Sequence, residues 1–149
     1  MLYLLDTNIV IYLTRGKRTY FEKTYDLFNP SNKLFISAVT IGEIRSFAYQ
    51  RNWGQTKLND MEMLLNDFFV IDVNVQSILN RYAEIDAFSK SKLIGRPLMT
   101  SSRTMGKNDI WIAATASVAN ATLLTTDQDF EHLHNHFIQL QKVDSQLIL

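Results

Sequence analysis

Short apolar runs alternate with longer amphipathic stretches along the whole chain. Five of the short runs are bounded by polar or turn-forming residues, which is typical of strands buried in a parallel sheet. The predicted strands cover residues 2–5, 34–36, 69–72, 122–125 and 137–140.

The stretches between these runs carry apolar residues at helical spacing, as Leu58, Met61 and Leu65 do. Thr40 and Glu43 match a capping box that opens one helix, and Asn108 is a favourable N-cap for another. The predicted helices cover residues 9–13, 20–28, 40–52, 56–68, 75–88 and 109–118, with a short one near 129.

Alternating strands and helices predict an α/β fold, because right-handed crossovers place helices on both faces of a parallel sheet. We therefore expect a three-layer sandwich with a central, mostly parallel five-stranded sheet flanked by helices. Without a repeat, linker or low-complexity tract, residues 1–149 are predicted to form a single domain.

Composition narrows the possible chemistry. The 149 residues are 46% hydrophobic, enough for one substantial core, and 15 basic residues balance 15 acidic ones. The absence of cysteine excludes disulfides and thiolate ligands and fits a cytoplasmic protein. No apolar run approaches the ~20 residues of a membrane span, so no membrane association is expected.

Acidic residues follow the predicted strands at positions suited to a binding site. Asp6 and Asp127 come after strands, Glu43 lies in the first turn of the helix after another, and Asp109 opens a helix. Ligands of open α/β sheets bind beyond the carboxyl ends of the strands, so these four side chains are candidates to converge there.

Four converging carboxylates would repel one another and raise one another's pKa unless protons or cations compensate. Hard oxygen ligands select magnesium or manganese, and such a cation activates water and neutralises charge on phosphate. This combination points to phosphodiester hydrolysis. Each acid also has a simpler interpretation: Asp6 caps the following turn, Glu43 completes the capping box, and Asp109 and Asp127 favour helix N-termini.

Four sequence blocks, in order, resemble the PIN-domain family and in particular the toxins of VapC-type toxin–antitoxin pairs. They are LLDTN at 4–8, SAVTIGE at 37–43, NDIWIAA at 108–114 and LTTDQDF at 124–130. The resemblance spans nearly the whole chain and implies a small α/β sandwich around a parallel sheet.

The resemblance also implies roles for individual residues. Asp6, Glu43, Asp109 and Asp127 match the acidic site that holds Mg²⁺ or Mn²⁺ and carries catalysis. The supporting positions implied are Thr126 as a hydroxyl residue, Asn8 and Asn108 as neighbours of the ligands, and Asp129 as a further ligand or a helix cap.

The family implies an endoribonuclease that cuts RNA, often as a homodimer, and is masked by a cognate antitoxin protein. Two alternatives stay open. One is a nuclease acting on DNA or structured nucleic acid, and the other is a non-catalytic interaction module whose acidic pocket receives a basic side chain. Phe47, Tyr49 and Trp53 are exposed-looking apolar residues that motivate the dimer and antitoxin hypotheses.

A basic segment from Ala87 to Asn108 is longer than the compact connection expected for the family. It has no acidic residue and leads into Asp109, so it is a candidate for phosphate contacts with RNA, or else a solvated loop. Its basic residues are Lys90, Lys92, Arg96, Arg103 and Lys107.

Other basic and aromatic residues have simpler interpretations. Arg15, Lys17 and Arg18 are expected mainly to cover the surface. Trp53 and Trp111, although able to stack on bases, are expected in the core or at an interface.

Overall fold

A computed structural model describes residues 1–148 and contains a parallel sheet of five strands in the order β3-β2-β1-β4-β5. Every neighbouring pair in this sheet is parallel. The α/β class and the five-stranded parallel sheet are therefore confirmed. The strands are β1 (Leu2–Leu5), β2 (Lys33–Ser37), β3 (Phe69–Ile71), β4 (Thr122–Thr125) and β5 (Gln139–Lys142).

Residues 1–148 also contain six α-helices and two short 3-10 helices, the second of which follows β5. The α-helices are α1 (Thr7–Thr14), α2 (Arg18–Tyr25), α3 (Ala38–Gln50), α4 (Gln55–Asn66), α5 (Gln76–Ser89) and α6 (Lys107–Val118). The 3-10 helices are Gln128–Leu133 and Ser145–Leu147. No helix among the described residues is long and apolar enough to cross a membrane.

The two faces of the sheet support separate cores. Along β1, Tyr3 and Leu5 pack into the core formed with α1 to α4, whereas Leu4 packs into the core formed with α5 and α6. In β4, Leu124 packs into the core with α1 to α4, and Leu123 packs into the core with α5 and α6. Since successive side chains of a strand point to opposite faces, a strand covered on both faces reads as a continuous apolar run.

Three predicted boundaries were wrong for identifiable reasons. The last strand is Gln139–Lys142 instead of 137–140, because Phe137 packs edge-on against Phe88 before the strand begins. Helix α6 begins at Lys107 with Gly106 as its N-cap, so Asn108 is not the cap. Helix α3 begins at Ala38 and its cap is the hydroxyl of Ser37, which accepts a hydrogen bond from the Val39 amide.

For the remaining helices, the predicted ends lie within a few residues of the observed ends. Helix α2 ends earlier than expected because Asp26 adopts a left-handed conformation with φ of 49°. The 20–28 prediction included apolar residues beyond this turn. Leu27 is buried, but it follows the end of the helix.

Candidate metal and active site

The predicted acidic residues lie at the carboxyl edge of the sheet. Asp6 directly follows β1, and its amide donates a hydrogen bond to the carbonyl of Leu124, which extends the β1–β4 pairing by one residue. Asp127 follows β4 after one intervening residue, and Glu43 lies on α3, which begins where β2 ends. Asp109 lies in the first turn of α6.

Asp6 is almost fully buried and its carboxylate is held at both oxygens. Oδ1 accepts a hydrogen bond of 2.8 Å from the Thr7 amide, which makes Asp6 the N-cap of α1. Oδ2 accepts a hydrogen bond of 2.6 Å from the hydroxyl of Thr125. The same hydroxyl accepts a bond of 2.9 Å from the Asp127 amide and so links the two acidic positions. Asp6 therefore caps α1 and also forms part of the acidic site.

Glu43 is positioned by a chain of hydroxyl groups instead of a capping box. The hydroxyl of Thr7 donates to Glu43 Oε1 over 2.6 Å and lies 3.1 Å from the hydroxyl of Thr40. Because a hydroxyl carries one proton, the Thr40 hydroxyl must donate to Thr7 when Thr7 donates to Glu43. Thr40 is fully buried inside α3, so the predicted capping-box contact with Glu43 does not form.

Three carboxylates meet on the other side of the site. One carboxylate oxygen each from Asp109, Asp127 and Asp129 lies within 4.8 Å of the others. Asp127 caps the 3-10 helix by accepting a hydrogen bond of 2.8 Å from the Asp129 amide. Asp129 is therefore not the cap, and its exposed carboxylate is available beside the other two.

Burial and neighbouring negative charges raise the pKa values of two acidic residues in the site. The pKa of Asp6 is raised to about 6, chiefly by burial; the Thr125 and Thr7 hydrogen bonds lower it, and the charges of Glu43 and Asp127 raise it by smaller amounts. Burial also raises the pKa of Asp109 to about 7, assisted by repulsion from the surrounding carboxylates. The expected mutual repulsion is present, although desolvation is the larger cause at both residues.

A cleft of about 610 Å³ opens over the acidic residues and extends between α1 and α3. Asp6, Glu43 and Asp109 line its acidic end, together with the predicted supporting residues Asn8 and Asn108, both exposed. The cleft continues along the two helices past the acidic residues. Its further lining residues are Thr7, Ile11, Val39, Gly42, Ser46, Phe47 and Gln50.

The hydroxyl that contacts the acidic residues is that of Thr125, and the predicted Thr126 makes no such contact within residues 1–148. Thr125 is fully buried and contacts both Asp6 and Asp127, as described above. Thr126 is half-buried and lines a different cleft with Lys142 and Asp144. The predicted residue, Thr126, lies one position after the threonine whose hydroxyl contacts the acids, because β4 ends at Thr125.

Three site residues were missed by the sequence reasoning: Thr7, Thr40 and Thr125. Thr7 and Thr40 lie within the two motif blocks that contain Asp6 and Glu43: Thr7 directly follows Asp6, and Thr40 precedes Glu43 by three residues. Their mutual contact joins positions 33 residues apart, which no local pattern reveals.

The basic segment has no regular secondary structure between α5 and α6. Lys90 pairs with Asp86 at 3.0 Å, and Arg96 lies 4.0 Å over the Phe137 ring while donating to the His136 carbonyl. Arg96 thus attaches the segment to a distant part of the chain, whereas the Lys90–Asp86 pair is a local contact at the end of α5.

The other basic residues of the segment are exposed. Arg103 lines a small cleft with Asp129, and Lys107 opens α6 two residues before Asp109. Lys92 is exposed and makes no ion pair among residues 1–148. A role for these residues in RNA binding stays a prediction.

Comparisons with known proteins agree with this architecture. A family model described as PIN domain matches residues 3–135. Ribonuclease VapC1 of Haemophilus influenzae is 30% identical over 125 residues, which cover 84% of this chain and 86% of that protein. Ribonuclease VapC2 of Rickettsia felis is 24% identical, covering 93% of this chain and 97% of that protein.

Solved structures show the same fold. A chain in the structure of VapBC-1 from nontypeable Haemophilus influenzae superimposes with a TM-score of 0.73 and 27% identity, covering 95% of this chain and 98% of that one. A chain of VapBC2 from Rickettsia felis, solved bound to a DNA fragment from their promoter, gives a TM-score of 0.78 at 22% identity, with the same coverages.

Proposed function

Since this chain belongs to the PIN-domain family, we propose that it is a metal-dependent endoribonuclease that hydrolyses RNA phosphodiester bonds. We further propose that it is the toxin of a type II toxin–antitoxin pair. The observation that carries the nuclease assignment is that Asp6, Glu43 and Asp109 line one cleft, while Asp127 lies beside Asp109. None of these four forms a salt bridge within residues 1–148.

The donor set fits a divalent cation. Every candidate ligand is a carboxylate oxygen, which is the hard donor type that Mg²⁺ and Mn²⁺ prefer. Burial, assisted by repulsion from neighbouring carboxylates, raises the pKa values of Asp6 and Asp109, and a bound cation would favour their charged forms. Asp6, Asp109 and Asp127 would hold the cation, with Glu43 and Asp129 completing its surroundings.

A bound cation supplies activation of water and neutralisation of charge on the phosphoryl oxygens. The protein residues supply position. The hydrogen bonds from Thr7 and Thr125 fix both oxygens of Asp6, and the Thr7 hydroxyl fixes Glu43. Ligands fixed by hydrogen bonds need little reorganisation when the substrate arrives. The open cleft between α1 and α3 gives an RNA strand access to this site.

A protein antitoxin and a homodimer are part of the proposal. The relatives named VapC and the related VapBC-1 structure, at 27% identity, support the antitoxin partner. Tyr49, 79% exposed, is the aromatic residue of α3 most available to a partner, whereas Phe47 and Trp53 are half-buried. Light scattering that shows only monomer at high protein concentration would contradict the dimer.

The nuclease assignment is tested by incubating the purified chain with single-stranded RNA and DNA of one sequence, in Mg²⁺, Mn²⁺ or chelator. We expect metal-dependent internal cleavage of RNA, lost in Glu43→Gln. The matched control is Glu62→Gln, at a half-exposed residue of α4 that pairs with Arg45. Cleavage that persists in chelator, or equal activity of Glu43→Gln and wild type, would refute the metal site. Preferential cleavage of DNA would refute the ribonuclease assignment.

A further inference from the structure

Basic and aromatic side chains form a group at the far end of the acidic cleft. We call it the arginine–aromatic cluster, and it consists of Arg15, Phe47, Arg51, Trp53 and Lys57. The guanidinium carbons of Arg15 and Arg51 lie 5.8 and 4.6 Å from the centroid of the same Phe47 ring. The Trp53 ring packs edge-on against Phe47 at 5.8 Å, and the Lys57 ammonium lies 4.1 Å over Trp53.

The cluster is continuous with the acidic site. Phe47 and Gln50 line the same cleft as Glu43, on the same face of α3. At a rise of 1.5 Å per residue, Phe47 lies about 6 Å and Gln50 about 10 Å along the helix axis from Glu43. On α1, Ile11 lines the cleft, and Arg15 follows one helical turn later. The cluster is thus within reach of a strand whose phosphate lies at the carboxylates.

The cationic groups of the cluster have no anionic partner in the protein. Within residues 1–148, the side chains of Arg15, Arg51 and Lys57 form neither a salt bridge nor a hydrogen bond, and all three are exposed. Two guanidinium groups gathered at one ring repel each other unless an anion lies between them. Cation–π contact with the Phe47 ring leaves the guanidinium N–H groups free to donate to an anion.

A purely structural explanation accounts for only part of this arrangement. Arg15 and Arg51 are the C-caps of α1 and α3, where positive charge is favourable. That effect explains the residue type at each helix end. It does not explain why both side chains extend to Phe47 without bonding the terminal carbonyls, nor why Lys57 joins them from α4.

We propose that the arginine–aromatic cluster binds the phosphates of single-stranded RNA next to the scissile bond, with Phe47 and Trp53 supporting the cations and offering faces to bases. This inference rests on the proposed ribonuclease function. Bidentate contacts between arginine and phosphate hold a strand without reading its sequence, and aromatic faces accept any base. The cluster thereby supplies the positive charge that the neutral chain lacks overall.

The test measures binding and cleavage separately on the full chain. Binding of a fluorescent mixed-sequence oligoribonucleotide in chelator is followed by anisotropy at several salt concentrations. Arg15→Gln and Arg51→Gln should each weaken binding about tenfold at low salt. The double variant should lower the slope of log affinity against log salt by about 1.4, which corresponds to two phosphate contacts. In cleavage assays the same variants should raise KM and leave kcat within about twofold.

The matched control is Lys33→Gln, which also removes one exposed positive charge. Lys33 begins β2, at the edge of the sheet opposite Asp6. Its replacement should therefore leave the affinity for RNA unchanged. Circular dichroism and thermal melting identify any variant that fails to fold, and Arg51→Lys then provides a milder change that keeps charge but loses bidentate contact.

Unchanged RNA affinity and salt slope in the double variant would overturn the proposal, as would an equal loss in Lys33→Gln. If the double variant instead loses only the binding of an acidic protein partner, the surface belongs to that partner and the RNA subsite is refuted. If wild-type RNA binding depends on both arginines but no metal supports cleavage, the RNA subsite is supported and only the nuclease function is contradicted.

Discussion

Replacement of Asp109 by asparagine should stabilise the metal-free protein while removing its activity. The carboxylate accepts no hydrogen bond from residues 1–148, and burial and neighbouring charges raise its pKa to about 7. An unfolded aspartate titrates near ~3.9. Between these values the unfolded state releases a proton that the folded state retains, so ionisation opposes folding. Asparagine has nearly the same shape and carries no charge.

The size of the expected stabilisation follows from the pKa shift of Asp109. A difference of about three pKa units corresponds to ~4 kcal/mol at full effect, because each unit is worth ~1.36 kcal/mol. Asp109 is only half-buried, so solvent screening reduces the expected gain to about 1–2 kcal/mol. In a chain of this size that gain raises Tm by roughly 2–8 °C. The gain should be absent below pH 4, grow as the pH rises to 7, and stay constant above that.

The assay is thermal unfolding in chelator from about pH 3.5 to 8.5, with Asp60→Asn as the control because Asp60 is an exposed residue of α4. Saturating Mn²⁺ should then stabilise the wild type more than Asp109→Asn, since bound cations stabilise the folded state. A variant that is less stable than wild type at pH 8 in chelator, or a gain independent of pH, would refute the reasoning.

Two further outcomes follow from the contacts. Arg96→Ala should speed amide hydrogen exchange across residues 90–106, and unchanged exchange would show that Arg96 does not hold this segment. Phe21→Ala should cost about 3–5 kcal/mol in denaturant unfolding without changing KM, because Phe21 is fully buried in the core of α1 to α4.

Local pattern was sufficient for most of the fold. The strand at Thr122–Thr125 was predicted correctly because its apolar run is bounded by polar residues on both sides. The last strand was displaced because Phe137 and Ile138 belong to the core although they precede the strand. A run of apolar residues indicates that the residues are buried. It locates a strand correctly only where the buried residues also lie in the strand.

The acids of the site were predictable and their supports were not. Asp6 and Glu43 stood out because strand order brings the ends of β1 and β2 together. The contact between Thr7 and Thr40 depends on how α1 packs against α3, and that packing is set by the whole core. The arginine–aromatic cluster was missed for the same reason. Arg15 looked like a surface charge because its partner ring, Phe47, is 32 residues away along the chain and on another helix.

The central claim is that the acidic residues at the carboxyl edge of the sheet bind the divalent cation needed for RNA cleavage. Calorimetric titration of Mn²⁺ into the metal-free full chain and into Asp6→Asn tests it most directly. We predict saturable binding to the wild type and at least a tenfold loss of affinity in Asp6→Asn, which keeps the side-chain shape but removes the charge. Absence of binding to the wild type at millimolar Mn²⁺, or equal affinity in the variant, would contradict the claim and favour a pocket that receives a basic side chain from a partner.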